Sequence, residues 1–259
     1  MGIYRYEILR ETTTDSLIME NNTREKKMNS NVYGIDLGTC NMKIYCKTSN
    51  KILNEKNTIA LVKKDQIYAY GDAAYAMYEK APETINVTFP VISGVIADFN
   101  NLQTMLQMYL EEHMKGKIRG AEFIVAVPTD ITDVEKRAFF EMFYKSKLKP
   151  KSVLLCEKPI ADAVGLGLDV NEPTGIMVVD IGADTTEISV ISLGGLVLSD
   201  LLHFGGNRID ESIITYVKRT YNLVIGQKTA QALKEKLGSG IPGNCLLYTS
   251  PSPRDPKTS

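Results

Sequence analysis

The chain is poor in the residues that build metal clusters and covalent scaffolds: its 259 residues include four cysteines and two histidines. Cys40, Cys46, Cys156 and Cys245 are irregularly spaced, with no Cys-x-x-Cys pair. That argues against structural zinc and against a disulfide framework, and for reduced, partly buried thiols in a cytosolic protein. An excess of charge of one sign is also missing: 30 basic residues face 31 acidic ones, for a formal charge of −1. General affinity for nucleic acid needs a basic surface, so no nucleic-acid partner is expected. No apolar run approaches the ~20 residues that span a bilayer. The N-terminus also lacks the continuous apolar stretch of a secretory signal.

What is present is a globular composition, 44% hydrophobic and 24% charged, with enough chain for one large or two medium domains. Two short segments share one grammar: Gly34-Ile-Asp36-Leu-Gly38-Thr39-Cys40-Asn41 and Val179-Asp180-Ile-Gly182-Ala183-Asp184-Thr185-Thr186-Glu187. In each, an apolar strand ends in an aspartate, a Gly-containing turn follows, and small polar residues lead into a second apolar strand. Such a hairpin presents backbone N–H groups and Thr hydroxyls to phosphate oxygens, while a strand-end carboxylate can hold magnesium through water. A single Asp-x-Gly is also an ordinary turn. Two copies point to two similar halves gripping one nucleotide from opposite sides.

The patterning around them alternates. Strands are expected at Val32–Asp36, Met42–Lys47 and Thr58–Val62, as an antiparallel trio, and at Gln66–Tyr70, before a helix at Asp72–Glu79. Leu102, Met105, Leu106, Tyr109 and Leu110 recur at helical spacing over Asn101–His113. The run Phe123–Val127 is apolar throughout, as in a strand covered on both faces. Thr132 and Glu135 form a capping box for a helix whose apolar stripe is Val134, Phe139, Met142 and Phe143. Ser152–Cys156 reads as a strand, Pro159 opens a helix, and Gly165–Gly167 end it. A second round then follows: a strand, the second hairpin with Ile188–Leu193, a strand at Leu196–Phe204, and helices over Asn207–Tyr221 and Lys228–Leu237. Repetition of strand-hairpin-strand and helix-covered strands predicts a duplicated α/β architecture with a ligand cleft between the halves.

The two hairpins resemble the phosphate motifs of the actin, hexokinase and heat-shock-chaperone ATPase superfamily. Ser93-Gly-Val-Ile-Ala-Asp98-Phe99, Val125-Ala-Val-Pro128-Thr129, Glu157-Lys-Pro159-Ile-Ala161, Asn171-Glu-Pro-Thr-Gly175 and Gly205-Gly206-Asn207-Arg-Ile-Asp210 narrow the match. Over Val32 to Gly238 the chain resembles the bacterial actins of the MreB/Mbl family, the rod-shape-determining proteins. The resemblance implies an actin-like ATPase fold, a pair of duplicated ribonuclease-H-like domains. Domain I would cover 29–168, and 169–238 would be the first part of an incomplete domain II.

The resemblance also assigns roles. Asp36 and Asp180 would hold hydrated Mg2+. Thr39, Cys40 and Asn41 would face the ATP phosphates from one side, and Gly182, Ala183, Asp184, Thr185, Thr186 and Glu187 from the other. Glu157 would orient the attacking water, with Thr185 as its partner. Gly205, Gly206 and Asn207, at a strand-to-helix turn, favour phosphate or ribose oxygens, though Asn207 is equally suited to a plain helix cap. Leu233, Lys234, Glu235 and Lys236 match the adenine-side helix. Three departures stand out: Ala183 and Asp184 where the family generally has glycines, Cys40 and Met42 for the usual Ala and Thr, and Lys236 for an acidic residue. Asp184 would bring negative charge beside the phosphates.

The expected function is therefore that of an MreB-like actin. It would bind ATP, hydrolyse it slowly and polymerise with itself into membrane-associated filaments that direct cell-wall synthesis and rod shape. MreC, MreD, RodZ and an anionic membrane surface are the partners implied. A non-polymerising ATPase, chaperone-like or phosphotransferase, and a nucleotide-binding scaffold with little hydrolysis are the alternatives. The loop His113–Gly120 matches the family's membrane loop, with Met114 and Ile118 as its large apolar groups and Lys115, Lys117 and Arg119 as basic ones. Residues 1–28 read as a leader outside the fold, and the Pro- and Ser-rich segment 239–259 as translated adapter sequence. The family's third nucleotide motif, a Gly-rich turn beside the adenosine, has no match, which is expected to weaken nucleotide binding.

Overall fold

A computed structural model describes residues 31–63, 66–114 and 118–240. The leader at 1–28, Cys245 and nearly all of the 239–259 tail lie outside the described residues. Contacts divide the chain into two compact units, one ending at Arg208 and the other beginning at Ile209.

The first unit is built on a five-stranded sheet of order β10-β9-β1-β2-β3. Its strands are β1 (Val32–Leu37), β2 (Asn41–Cys46), β3 (Lys51–Lys56), β9 (Glu122–Val127) and β10 (Ser152–Glu157). The first three are antiparallel neighbours, whereas β9 and β10 run parallel to β1. Strand alternation turns Tyr33, Ile35 and Leu37, Met42, Ile44 and Cys46, and Phe123, Val125 and Val127 into one core. The helices α2 (Phe99–His113) and α3 (Asp133–Tyr144) close that core with Leu102, Met105, Leu106, Tyr109 and Leu110, and with Phe139, Met142 and Phe143. Phe123 stacks on Tyr33 at 5.5 Å and lies 5.2 Å from the Phe143 ring. Each large side chain removed from water here contributes about 1.5–3 kcal/mol.

Local chemistry sets the helix starts. The Asp98 side chain accepts from Asn101 N–H, so α2 begins at Phe99, two residues earlier than the periodicity suggests. Thr132 and Glu135 form the expected capping box of α3. Val134, however, is 77% exposed. It lies five residues before Phe139, about 140° around the helix, and so falls outside the buried stripe.

Three further expectations are corrected. The third strand of the antiparallel trio is β3, Lys51–Lys56, and not Thr58–Val62. The latter segment supplies β4 (Ile59–Val62), which pairs with β5 (Gln66–Tyr70) and β6 (Ile85–Thr88) in a separate sheet. Phe123–Val127 is buried on one face only, because Ile124 on the other keeps 39% of its surface exposed. Met114, expected as a lipid-facing group, is 2% exposed and belongs to the core, with Ile118 packed against the same cluster. The Met114 side chain is therefore not available to a membrane, whereas Ile118 is only partly buried. Residues 115–117 of that loop lie outside the described residues.

The short helix α1 (Gly71–Met77) packs on β4 and β5, and β7 (Val91–Ile92) pairs with β8 (Val95–Ile96) through a tight turn. Helix α4 (Lys158–Gly165) leads toward a second antiparallel sheet, β11 (Ile176–Ile181), β12 (Thr186–Ser192) and β13 (Gly195–Leu202). Its small core joins Ala163, Val178 and Ile191. The second unit holds most of α5 (Gly206–Tyr221) and all of α6 (Gln227–Leu237). Within it the 2%-exposed Asp210 is met by Lys234 Nζ at 2.9 and 3.0 Å. Among the described residues, no helix is long and apolar enough to cross a membrane.

Candidate functional site: two matched phosphate hairpins

The hairpins are equivalent in register. Pairing of β1 with β2 closes on Leu37↔Met42, and pairing of β11 with β12 closes on Ile181↔Thr186. Each leaves a four-residue turn, Gly38–Asn41 and Gly182–Thr185. Asp36 then lies opposite Lys43, and Asp180 opposite Glu187, at the same step from the turn. Glycine opens both turns for a steric reason: a Cβ at Gly38 would sit 2.8 Å from the Asn41 carbonyl oxygen, and one at Gly182 3.0 Å from that of Thr185. Gly182 N–H also donates to Thr185 O at 2.8 Å.

The paired aspartates carry ammonium partners that the motifs do not reveal. Lys43 Nζ is 3.0 Å from Asp36 Oδ2, and Lys158 Nζ is 2.6 Å from Asp180 Oδ2. Burial alone would lower the Lys158 ammonium, but the charge of Asp36 and the bond to Asp180, with Asp162 adding to them, push it up. Burial and the neighbouring Asp180 push the Asp162 carboxyl up to about 6, with Lys158 opposing them. Among the described residues no cluster of three or more His, Cys, Asp or Glu forms a metal cage. Two carboxylates, each with a second oxygen outside its ion pair, nevertheless fit magnesium, which keeps most of its waters and takes its remaining ligands from phosphates.

Glu157 ends β10 and serves as the residue before α4, without capping it through its side chain. Its carboxylate is partly buried and has no hydrogen-bond partner among the described residues. The Thr185 hydroxyl is likewise uncommitted. The ion pair from Lys158 to Asp180 joins the residue after Glu157 to the strand that feeds the Thr185 turn.

Other site residues are engaged by the protein itself. Thr39 Oγ1 accepts from Gly94 N–H at 3.4 Å, while Ser93 N–H donates to Asp184 Oδ2 at 2.9 Å. The β7–β8 turn thus reaches both hairpins, with Ser93 at φ 51 and Gly94 at φ 80. Asn207 Nδ2 takes the other Asp184 oxygen at 2.7 Å. The carboxylate that sequence alone would set against the phosphates is therefore held by two donors. Gly206 N–H donates to Gly182 O, and Asn207 N–H to Ala183 O, so the start of α5 is seated on the second turn. Cys40 Sγ and Asn41 Oδ1 both accept from Lys56 Nζ, Asn41 Nδ2 donates to Asn54, and Asn57 Nδ2 donates to Gly38 O at 2.7 Å. Of the adenine-side candidates on α6, Lys234 is paired with Asp210, and Glu235 accepts from Gln231 at 2.8 Å. Leu233 and Lys236 lie on the same helix.

Thr186 and Glu187 serve the frame. Thr186 Oγ1 donates to Phe204 O at 2.7 Å. Glu187, 3% exposed, accepts from the N–H of Thr129 at 3.0 Å and from its hydroxyl, and the hydroxyl oxygens of Thr129, Ser199 and Ser189 continue the chain. In the sequence Thr129 is visible only as part of Val-Pro-Thr after β9; its partner far along the chain is not. Thr129→Val is expected to destabilise the fold by about 2 kcal/mol, because a buried carboxylate loses a hydroxyl donor. Thr129→Ser should restore most of that. Urea unfolding of the three proteins measures it, and a Val variant as stable as the parent would remove this role.

An α/β frame carrying two register-matched hairpins, one on a mixed five-stranded sheet and one on an antiparallel three-stranded sheet, defines an actin-like fold. The chain belongs to the MreB/Mbl family, whose model for the MreB/Mbl protein matches residues 30–247. It is 41% identical over 225 residues to the cell shape-determining protein MreB of Escherichia coli K12, covering 84% of this chain and 64% of that one. It is 39% identical over 211 residues to the cell shape-determining protein Mbl of Bacillus subtilis 168, covering 81% and 63%. The chain thus spans less than two thirds of these relatives' length. Among solved structures, MreB 5 of Spiroplasma citri bound to AMPPNP matches with a TM-score of 0.77 at 30% identity, over 83% of this chain and 64% of that one. The same protein bound to ADP matches at 0.77 and 31%. A MamK double helical filament, 22% identical with a TM-score of 0.67, shares the fold.

Proposed function

We propose that this chain is the nucleotide-binding part of an MreB-type bacterial actin. It binds ATP with magnesium, hydrolyses it slowly and polymerises with itself into filaments at the cytoplasmic face of the membrane that direct wall synthesis and maintain rod shape. The observation that carries this reading is the pair of hairpins in equivalent register, with Asp36 and Asp180 at matching positions. Family membership supports it, as do the AMPPNP and ADP bound by the Spiroplasma citri relative. In this reading domain I would cover 29–168 and the first part of domain II 169–238, each built around one hairpin. MreC, MreD and RodZ are proposed as partners on family grounds alone.

In this reading the turn N–H groups and the hydroxyls of Thr39 and Thr185 cradle the phosphates, because small residues let the backbone approach closely. Asp36 and Asp180 would hold Mg2+, which supplies charge neutralisation at the phosphates. Glu157 accepts a hydrogen bond from the attacking water and fixes its direction, with Thr185 as a second contact. Such orientation acts mainly in the transition state. Adenine contacts are assigned to Leu233, Lys234, Glu235 and Lys236.

At micromolar concentration with ATP and magnesium, a version of this chain extended to the length of its MreB relatives is expected to sediment as polymer, and to remain in the supernatant without nucleotide. Monomer under both conditions, with and without lipid, removes the polymerising reading.

A further inference from the structure

Lys158 is explained neither by phosphate cradling nor by water orientation. It opens α4, where the unpaired N–H groups of a helix start favour an anion over a cation, and its side chain is only 22% exposed. Its surroundings account for the placement. Nζ lies 2.6 Å from Asp180 Oδ2, and the charges of Asp36 and Asp162 act on the same ammonium. Asp162 Oδ2 is itself buried with no hydrogen-bond partner among the described residues. One carboxylate, on β11, is thus bonded to this ammonium, and those of β1 and α4 act on it through their charge, Asp36 being itself bonded to Lys43 Nζ at 3.0 Å.

Asp36 and Asp180 are the pair assigned to the metal beside the phosphates, and the role of Lys158 rests on that nucleotide reading. We propose that Lys158 is a built-in counter-ion of this aspartate pair, a determinant of cation dependence that lets the site hold a nucleoside triphosphate with little help from a divalent metal. Two bare carboxylates repel a polyphosphate, and binding then needs a divalent ion between them. An ammonium bonded to one aspartate and acting on the other supplies part of that charge from the chain itself. It carries three donors, and Asp180 takes one of them. The others are free to meet phosphate oxygens.

The test is anisotropy of a fluorescent ATP analogue, titrated with the protein in excess magnesium and in excess EDTA. In the unaltered protein, removal of the metal is expected to weaken binding by less than about 10-fold. Lys158→Gln should weaken binding in EDTA by roughly 30-fold, the scale of one charge-assisted hydrogen bond, and by less than about 3-fold in magnesium. Lys158→Arg should restore binding in EDTA. Since Lys158→Gln leaves Asp162 unbalanced and threatens the fold, the double variant Lys158→Gln/Asp162→Asn is measured beside it and should behave alike. A loss of about 10-fold or more on metal removal from the unaltered protein, or equal weakening by Lys158→Gln in both media, overturns the proposal. Failure of the unaltered protein to bind the analogue even in magnesium overturns the nucleotide reading on which it stands.

Discussion

Gly205→Ala is expected to cost about 3 kcal/mol or more, among the largest effects of any single methyl group in this chain. A Cβ at Gly205 would lie 2.5 Å from Ala183 O, 2.6 Å from Ala183 C and 2.7 Å from Gly182 O. All three are backbone atoms of the second hairpin's turn, so no side chain can swing aside to relieve the clash. The seat formed by Gly206 N–H on Gly182 O and Asn207 N–H on Ala183 O would separate with it. Gly195→Ala is the control, because nothing lies within 4 Å of its added Cβ. Its cost should stay within about 0.5 kcal/mol, as for an open surface site. Urea or thermal unfolding compares the two, and equal stability of both variants would show that the close approach of Gly205 to the turn is not maintained in solution.

Glu157→Ala is expected to lower the rate of ATP hydrolysis by about 100-fold or more while leaving nucleotide affinity within about 3-fold. The separation follows from the placement of Glu157. Its carboxylate makes no hydrogen bond to the described protein and caps no helix, so its removal leaves no unpaired partner behind. Binding through the turns would persist, and the loss would fall on the step that needs a directed water. Single-turnover hydrolysis and equilibrium binding are measured on the same preparation. A parallel fall in both would assign Glu157 to the architecture of the β10–α4 junction.

The parts of the fold that are legible in the sequence are those where one residue type has one physical use. Aspartate followed by a Gly-containing turn locates both hairpins, a Thr–Glu capping box sets the start of α3, and the repeat of Leu102, Met105, Leu106, Tyr109 and Leu110 matches the buried face of α2. Strand β3 escapes because Lys51-Ile-Leu-Asn-Glu-Lys56 is mostly polar and buries only Leu53. Its place at the sheet edge comes from pairing with β2, which periodicity does not record. Met114 reads as outward-facing because it sits in a basic loop, yet it completes the core beneath α2. At the site, motif positions locate the turns but not the side chains that cross between elements. Ser93 on Asp184, Thr129 on Glu187 and Lys158 on Asp180 are separated in sequence by tens of residues or lie on strands with their own periodicity. Such contacts depend on tertiary placement, which no local pattern encodes.

The β7–β8 turn gives the two hairpins a shared fastener. Ser93 grips one and Gly94 the other, from adjacent peptide units. Because consecutive peptide groups keep a nearly fixed spacing, that turn acts as a gauge block for the gap between Thr39 and Asp184. Widening the gap must release at least one of the two bonds. The bond to the Asp184 carboxylate is the stronger, at about 1.5–3 kcal/mol, against about 1 kcal/mol for the long bond to the Thr39 hydroxyl. The weaker side gives way first, so the turn would travel with the second hairpin whenever the jaws part.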